Sequence, residues 1–313
     1  MAAMRFESWT TILIPLLLLQ VRIHGGSGAR ELDLRDPTRP EHPYPGNTKL
    51  SKGDVNPDVL RLPSEHGHHG MMHHHHRHGA QGDPSTMVFF TLTDLKEGNA
   101  LPVYFPKRDP LASPKFLPRE EAESIPFSSA RLPTLLELFN FPRDSAQASA
   151  MEDTLRQCEA QPIVGEIKIC ATSLESQLDF VRSIFDSAPA GPSKFAALST
   201  SHLAGSSHTA SFQNYTISGP PLEVAAPTMV ACHTMPYPYA VFYCHSQKSP
   251  NRVFQVPLLG ENGEAVQALA VCHLDTSQWS PEHVSFRVLG IEPGSSHVCH
   301  FFPADHLVWV PAN

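Results

Sequence analysis

The dipeptide Cys-His occurs four times in the last third of this 313-residue chain, at Cys232-His233, Cys244-His245, Cys272-His273 and Cys299-His300, with gaps of 10, 26 and 25 residues. Successive side chains of a β-strand leave on opposite faces, so an extended Cys-His pair sends a sulfur one way and an imidazole the other. Four extended dipeptides would place the cysteines in a buried layer and gather His233, His245, His273 and His300 on the opposite surface. Neutral imidazole is a good ligand for copper and zinc. Asp275, two positions after His273, is placed to orient a ligand ring from behind. The same residues serve a purely structural reading, in which disulfides staple the domain and the histidines are hydrogen-bonded scaffold.

The compartment bears on whether those sulfurs pair. Arg5, the apolar stretch Ile12-Leu13-Ile14-Pro15-Leu16-Leu17-Leu18-Leu19 and the small residues Gly25-Gly26-Ser27-Gly28-Ala29 have the order of a secretion signal, with cleavage expected near Ala29. The apolar run is too short for a membrane anchor, and no later segment is apolar enough to span a bilayer. The mature protein is expected outside the cell or in the secretory path, free of the membrane, where thiols oxidise. The six cysteines Cys158, Cys170, Cys232, Cys244, Cys272 and Cys299 are then a disulfide set. Cys158 and Cys170, close in sequence and outside the dipeptide series, are expected to pair with each other. The other four are left for two bridges whose partners the sequence does not choose. Thirty-one acidic against 23 basic side chains give a formal charge of −8, which argues against nucleic acid as a partner.

Residues 1–29 read as the signal, 30–86 as a flexible arm and 87–313 as one folded domain. The arm is rich in Pro, Gly, His and charge, and has too little apolar surface to offset the entropy of ordering. It carries His66, His68, His69, His73, His74, His75, His76 and His78. That tract reads as a solvated low-complexity spacer, or as a weak copper or zinc binder, or as a cation in an acidic fluid suited to an anionic polymer. In the domain, Met87 to Leu92 and Leu101 to Phe105 read as a hairpin around Gly98-Asn99. Helices are expected at Leu132 to Phe139, Ser145 to Cys158 and Ser173 to Asp186. The last has a Thr172/Glu175 capping box and an apolar stripe of Leu174, Leu178, Val181 and Phe185. Strands follow at Met229 to His233, Tyr239 to His245, Arg252 to Leu258, Ala265 to Leu274, Val284 to Leu289, Ser296 to Phe302 and Leu307 to Val310. Asn262-Gly263 is a strong short-turn signal between two of them. Helices before a mainly antiparallel β region, stapled by disulfides, make an α+β domain.

The spacing of the four dipeptides, together with Trp309 near the C-terminus and Phe89-Phe90 at the start of the domain, resembles the BURP domain of plants over Val88 to Asn313. That resemblance implies a secreted component of the plant cell wall or extracellular space. Members include non-catalytic proteins of seed, pollen or stress biology and an accessory subunit of a pectin-degrading enzyme. It also implies, for a subset, copper-dependent peptide cyclisation that crosslinks aromatic side chains of core peptides often carried in the N-terminal region. The arm here holds only Tyr44, so such an activity would act on a separate peptide. The reading is therefore a non-enzymatic structural or interaction component, with pectin or a wall protein as partner and development or stress as setting; copper is the cofactor the alternative requires. Asn214-Tyr215-Thr216 is a glycan acceptor sequence. His202, His208, His283, His297 and His306 read as ordinary surface or hydrogen-bonded residues. No phosphate-binding loop, helical His-Glu-X-X-His or Gly-X-Ser-X-Gly elbow is present.

Overall fold

The computed structural model describes residues 30–31, 88–105, 113–187, 194–203 and 212–312. The signal segment, the histidine tract and the rest of the arm lie outside the described residues, apart from a two-residue strand β1 (Arg30–Glu31). The elements that follow are β2 (Phe89–Phe90), β3 (Ala100–Val103), α1 (Arg119–Ser124), α2 (Leu132–Leu138), α3 (Ala146–Glu159), β4 (Glu166–Ala171), α4 (Leu174–Asp186), β5 (Phe195–Leu198), β6 (Ser201–His202), β7 (Gln213–Ile217), β8 (Leu222–Val224), β9 (Val230–Met235), β10 (Val241–Gln247), β11 (Asn251–Gly260), β12 (Ala265–His273), α5 (Val284–Leu289), β13 (Val298–Phe302) and β14 (Leu307–Pro311). The domain is α+β, and all strand pairings are antiparallel.

Two sheets form. The first has the order β1-β5-β14-β9-β10-β4; the second runs β2-β13-β12-β11-β7-β3, with β6 added on β12 and β8 on β11. Side-chain alternation sorts each strand between two cores. On β9 and β10, Val230, Cys232, Phe242 and Cys244 face α4, where they pack with Val181, Phe185 and Trp309. The next residue along, Ala231, faces the second sheet and shares a core with Val308, Val271 and Phe302. On β12 and β13, Ala270, Cys272, Cys299 and Phe301 face away from the first sheet into a separate core with Phe90, Phe105 and Tyr215. A fourth cluster packs α2 and α3 on Tyr237 and Tyr239.

The helices form where the caps put them. Ser145 Oγ accepts from Ala148 N to start α3. The α4 capping box lies one residue later than expected, between Ser173 and Ser176, because Ser173 is the residue with the extended backbone that lets its hydroxyl reach N3. Leu178, Val181 and Phe185 are buried as expected, whereas Leu174 in the first turn is exposed.

Two expectations fail. β2 and β3 do not form a hairpin: they sit at opposite ends of the second sheet, on β13 and β7. A single 3-10 turn at Leu92–Asp94, capped by Thr91, redirects the chain between them. The segment Val284–Leu289 is helix, not strand. Its alternation of apolar and polar residues suits a strand, but His283 Nδ1 accepts from Ser285 N at one end and Gly290 takes the left-handed conformation (φ 65°) at the other. Among the described residues no helix is long and apolar enough to cross a membrane.

Candidate metal centre

The four dipeptides fall two to each sheet. Cys232 stands opposite Cys244 across β9 and β10, and Cys272 opposite Cys299 across β12 and β13. Directly opposed residues are the nearest cross-strand side chains, and the structure closes both pairs as disulfides, with Cys158–Cys170 tying the end of α3 to β4. Each histidine, one residue on, leaves the other face of its strand. Sulfur and imidazole do separate, but not into one buried layer and one surface. The sulfurs occupy two outer cores, and the imidazoles enter the layer between the sheets, where His233 and His273 are each only 4% exposed. Strand alternation assigns two faces; only the docking of the second sheet decides which of them is interior.

The imidazoles meet in pairs. His233 Nε2 lies 3.3 Å from His245 Nε2, and His273 Nε2 lies 3.4 Å from His300 Nε2. His233 and His300 join the pairs across the sheets with ring centroids 6.1 Å apart, both stacked on Phe302 at 4.9 Å. The outward nitrogens face different neighbours. His273 Nδ1 is 2.7 Å from Asn251 Oδ1, while Asn251 Nδ2 donates to Ser249 O at 2.8 Å, which fixes the amide's orientation. His245 Nδ1 is 3.0 Å from Glu166 Oε1, at ion-pair distance but off the line of a hydrogen bond. The Tyr243 hydroxyl donates to that same oxygen at 3.2 Å, and Ile163 N donates to the other at 3.1 Å. His233 Nδ1 lies 3.1 Å from His306 Nδ1. His300 hydrogen-bonds the Phe301 backbone, an interaction that favours the protonated ring.

Burial holds the second-sheet pair neutral. It pushes His300 down to about 3, with His245, His283 and His306 adding to the effect against the pull of the Phe301 backbone. It also pushes His273 well below the usual imidazole range, helped by His300, His245 and His283. For Glu166 burial acts upward, yet its contacts with His245, Ile163 N and Tyr243 outweigh it and keep the group an anion.

Over the second-sheet pair the rings close a circuit. Trp279 lies 4.9 Å from His273 and 4.6 Å from His283, His283 is 5.9 Å from Phe89, and Phe89 is 5.9 Å from His300. Asp275 does not orient a ring: it is exposed and accepts from Ser277 N at 2.9 Å, because the chain turns away after β12. His283 and His306, read from sequence as ordinary, border the centre, and Glu166 and Asn251 were not singled out at all. Asn251 had a signal: counting back along both strands from the Asn262-Gly263 turn pairs it with His273, as in the observed register. Glu166 had none, since its place depends on β4 joining the edge of β10. Asn214 and Thr216 lie exposed on one face of β7, with Asn214 Nδ2 donating to Glu261 Oε1 at 2.8 Å.

Imidazole as a ligand type suits copper or zinc, and oxidation withholds all six sulfurs as thiolate ligands. As arranged they offer Nε2 atoms two at a time; among the described residues no group of three or more His, Cys, Asp or Glu forms a ready ion cage.

Face-to-face antiparallel sheets with a disulfide on each outer side and paired imidazoles between them define a disulfide-locked β domain with a histidine centre. The BURP domain family model matches residues 88–311, and the chain belongs to that family. It is similar to the BURP domain-containing protein BNM2A of Brassica napus, 43% identical over 240 residues that cover 76% of this chain and 84% of the relative. The BURP domain protein USPL1 of Arabidopsis thaliana is 44% identical over 236 residues, 74% and 82% of the two chains. Protein RAFTIN 1B of Triticum aestivum is 42% identical over 226 residues, 72% and 60% of the two.

Proposed function

We propose that this BURP protein is a secreted, non-enzymatic structural or interaction component of the plant cell wall or extracellular space, and that its imidazole centre binds a late transition-metal ion, copper by ligand type. One observation carries the metal reading: the inward nitrogens face each other in pairs at 3.3 and 3.4 Å. An amide oxygen can only accept, so Asn251 places the proton of neutral His273 on Nδ1 and leaves Nε2 a lone pair aimed at His300. A single N–H···N bond from His300 Nε2 satisfies that lone pair in the metal-free protein, and a soft cation that takes the place of this proton would be bound by both nitrogens. Bound copper would supply Lewis-acid or one-electron chemistry; the chain's part is to present the nitrogens and shield them with Phe302 and Trp279.

The test is metal analysis of the mature chain with the eight arm histidines replaced by Gln, which removes the competing tract. Stoichiometric copper, lost when His233, His245, His273 and His300 are also replaced by Gln, is the expected result. A folded protein that binds no copper or zinc would falsify the metal reading.

Two further parts of this reading concern the surface. The arm's histidines, charged in acid, are assigned to an anionic polymer such as pectin, so retention on polygalacturonate should be stronger at about pH 5 than at about pH 7.5. Equal retention removes that role. Asn214 is assigned as a glycan acceptor, which a mass decrease on enzymatic deglycosylation would report.

A second reading, a copper-dependent cyclase crosslinking aromatic residues of a separate peptide, is favoured by access. His245 is 14% exposed, and Trp279 and Phe89 stand half-buried beside the other pair. Copper-loaded protein incubated in air with Tyr- and Trp-bearing peptides distinguishes it: crosslinking shows as loss of a hydrogen pair from the peptide mass.

A further inference from the structure

The Cys-His dipeptide brings an imidazole to the inter-sheet layer but does not determine which ring nitrogen holds the proton. We propose that Glu166 and Asn251, one serving each sheet, are positioning residues: Asn251 accepts from Nδ1–H of His273, Glu166 sets its anionic Oε1 3.0 Å from Nδ1 of His245, and each thereby favours the proton on Nδ1 and keeps Nε2 as the inward-facing lone pair. The inference rests on the metal-binding reading for its ligand and on the structure alone for its tautomers.

Both residues are fixed on several sides. Glu166 opens β4, whose register on β10 sets Glu166 beside Gln247 and Lys168 beside His245. The Cys158–Cys170 bridge anchors the same strand to α3, so the disulfide outside the dipeptide series holds the strand that carries this carboxylate. Its two oxygens are held by Tyr243 and by Ile163 N, which leaves Oε1 facing the His245 ring rather than free to swing into solvent. Lys168, which could otherwise compete for the carboxylate, donates to Gln157 O at 2.8 Å and sits over the Tyr243 ring. Asn251 opens β11 directly opposite His273, and its own Nδ2 bond to Ser249 O directs Oδ1 at the ring. Outer acceptors of this kind fix the tautomer and orientation of metal-bound histidines in general, and their loss weakens metal affinity by roughly 10–100-fold.

A merely structural role would also destabilise the protein on mutation, so the test reads tautomers. In the arm-substituted mature chain, with chelator, nitrogen-15 imidazole spectra should show His245 and His273 as Nδ1–H tautomers. E166A should shift His245 away from that form and leave His273 unchanged; N251A should do the converse. Copper(II) affinity, measured by competition with a chromophoric chelator, should fall by about 10–100-fold in each and recover in E166Q and N251D, which keep an acceptor oxygen. If truncation unfolds the protein, E166L and N251L, closer in volume and without an acceptor, carry the same expectation. Folded variants with unchanged tautomers overturn the proposal. Tautomers that shift as expected in a protein that binds no copper leave the positioning intact and refute the metal reading.

Discussion

The two halves of the histidine centre start from the same dipeptide and end in different surroundings. In the first sheet the Cys232–Cys244 bridge lies under a separate element, α4, and its imidazoles are backed by a carboxylate, Glu166, and by another imidazole, His306. In the second sheet the Cys272–Cys299 bridge is covered by aromatic side chains of that sheet's own core, Phe90, Phe105 and Phe301, and its imidazoles are backed by a neutral amide and roofed by Trp279 and His283. One half therefore has an anion behind it, and the other excludes charge. The dipeptide supplies the pair geometry, whereas the tertiary neighbours supply the electrostatics.

Acid should expose that contrast most strongly. His273 and His300 ionise in the unfolded chain near ~6.5, but His300 is held at about 3 in the fold and His273 well below its usual range. Below that unfolded value the unfolded chain takes up protons the folded one refuses. The stabilisation is therefore complete above ~6.5 and lost as pH falls toward the folded values, with a slope approaching ~1.4 kcal/mol per pH unit for each imidazole. In chelator, Tm should drop between about pH 7 and about pH 4.5, and H273Q/H300Q should flatten the decline; an unchanged slope in a folded variant breaks the contrast.

Opening the disulfides comes next. C232A/C244A and C272A/C299A should each lose ~2–4 kcal/mol, read as Tm at about 2–4 °C per kcal/mol for a domain of this size. The second bridge closes the wider loop, a separation of 27 residues against 12, so by loop entropy its loss should cost about 0.7 kcal/mol more. The reverse order would mean that packing over the sulfurs, not loop closure, sets their contributions. The smallest effect is expected from S173A, which removes the hydroxyl that caps α4 and should cost ~1 kcal/mol. Because α4 covers only the first bridge, S173A should speed reduction of Cys232–Cys244 by dithiothreitol and leave Cys272–Cys299 unchanged. Equal acceleration of both would show that the two covers loosen together.

Much of the fold was legible where local pattern and local contact coincide. The pairings of β9 with β10 and of β11 with β12 join strands close in sequence, with turns that Pro236-Tyr237-Pro238 and Asn262-Gly263 announce. α3 and α4 carry their own caps and apolar stripes. The misreadings fall where one local pattern admits two structures. Val284–Leu289 alternates like a strand but is short enough for its caps to make it a helix. The β2 and β3 segments look like partners yet find neighbours more than 100 residues away. The centre followed the same division: the four histidines stood out by their repeated cysteine neighbours, whereas Glu166 and His306 reach it through strands and loops that no periodicity connects.

The sequence by itself determined that each dipeptide would divide sulfur from imidazole, because a strand has only two faces and adjacent residues must take one each. Only the tertiary structure decided that two such sheets would stack with the imidazole faces inward, since burial of the shared Ala231, Val271, Phe302 and Val308 core chooses which face is covered. Contact across that layer, not the motif, brings four side chains spread over 68 positions of chain into one centre and gives each its own partner.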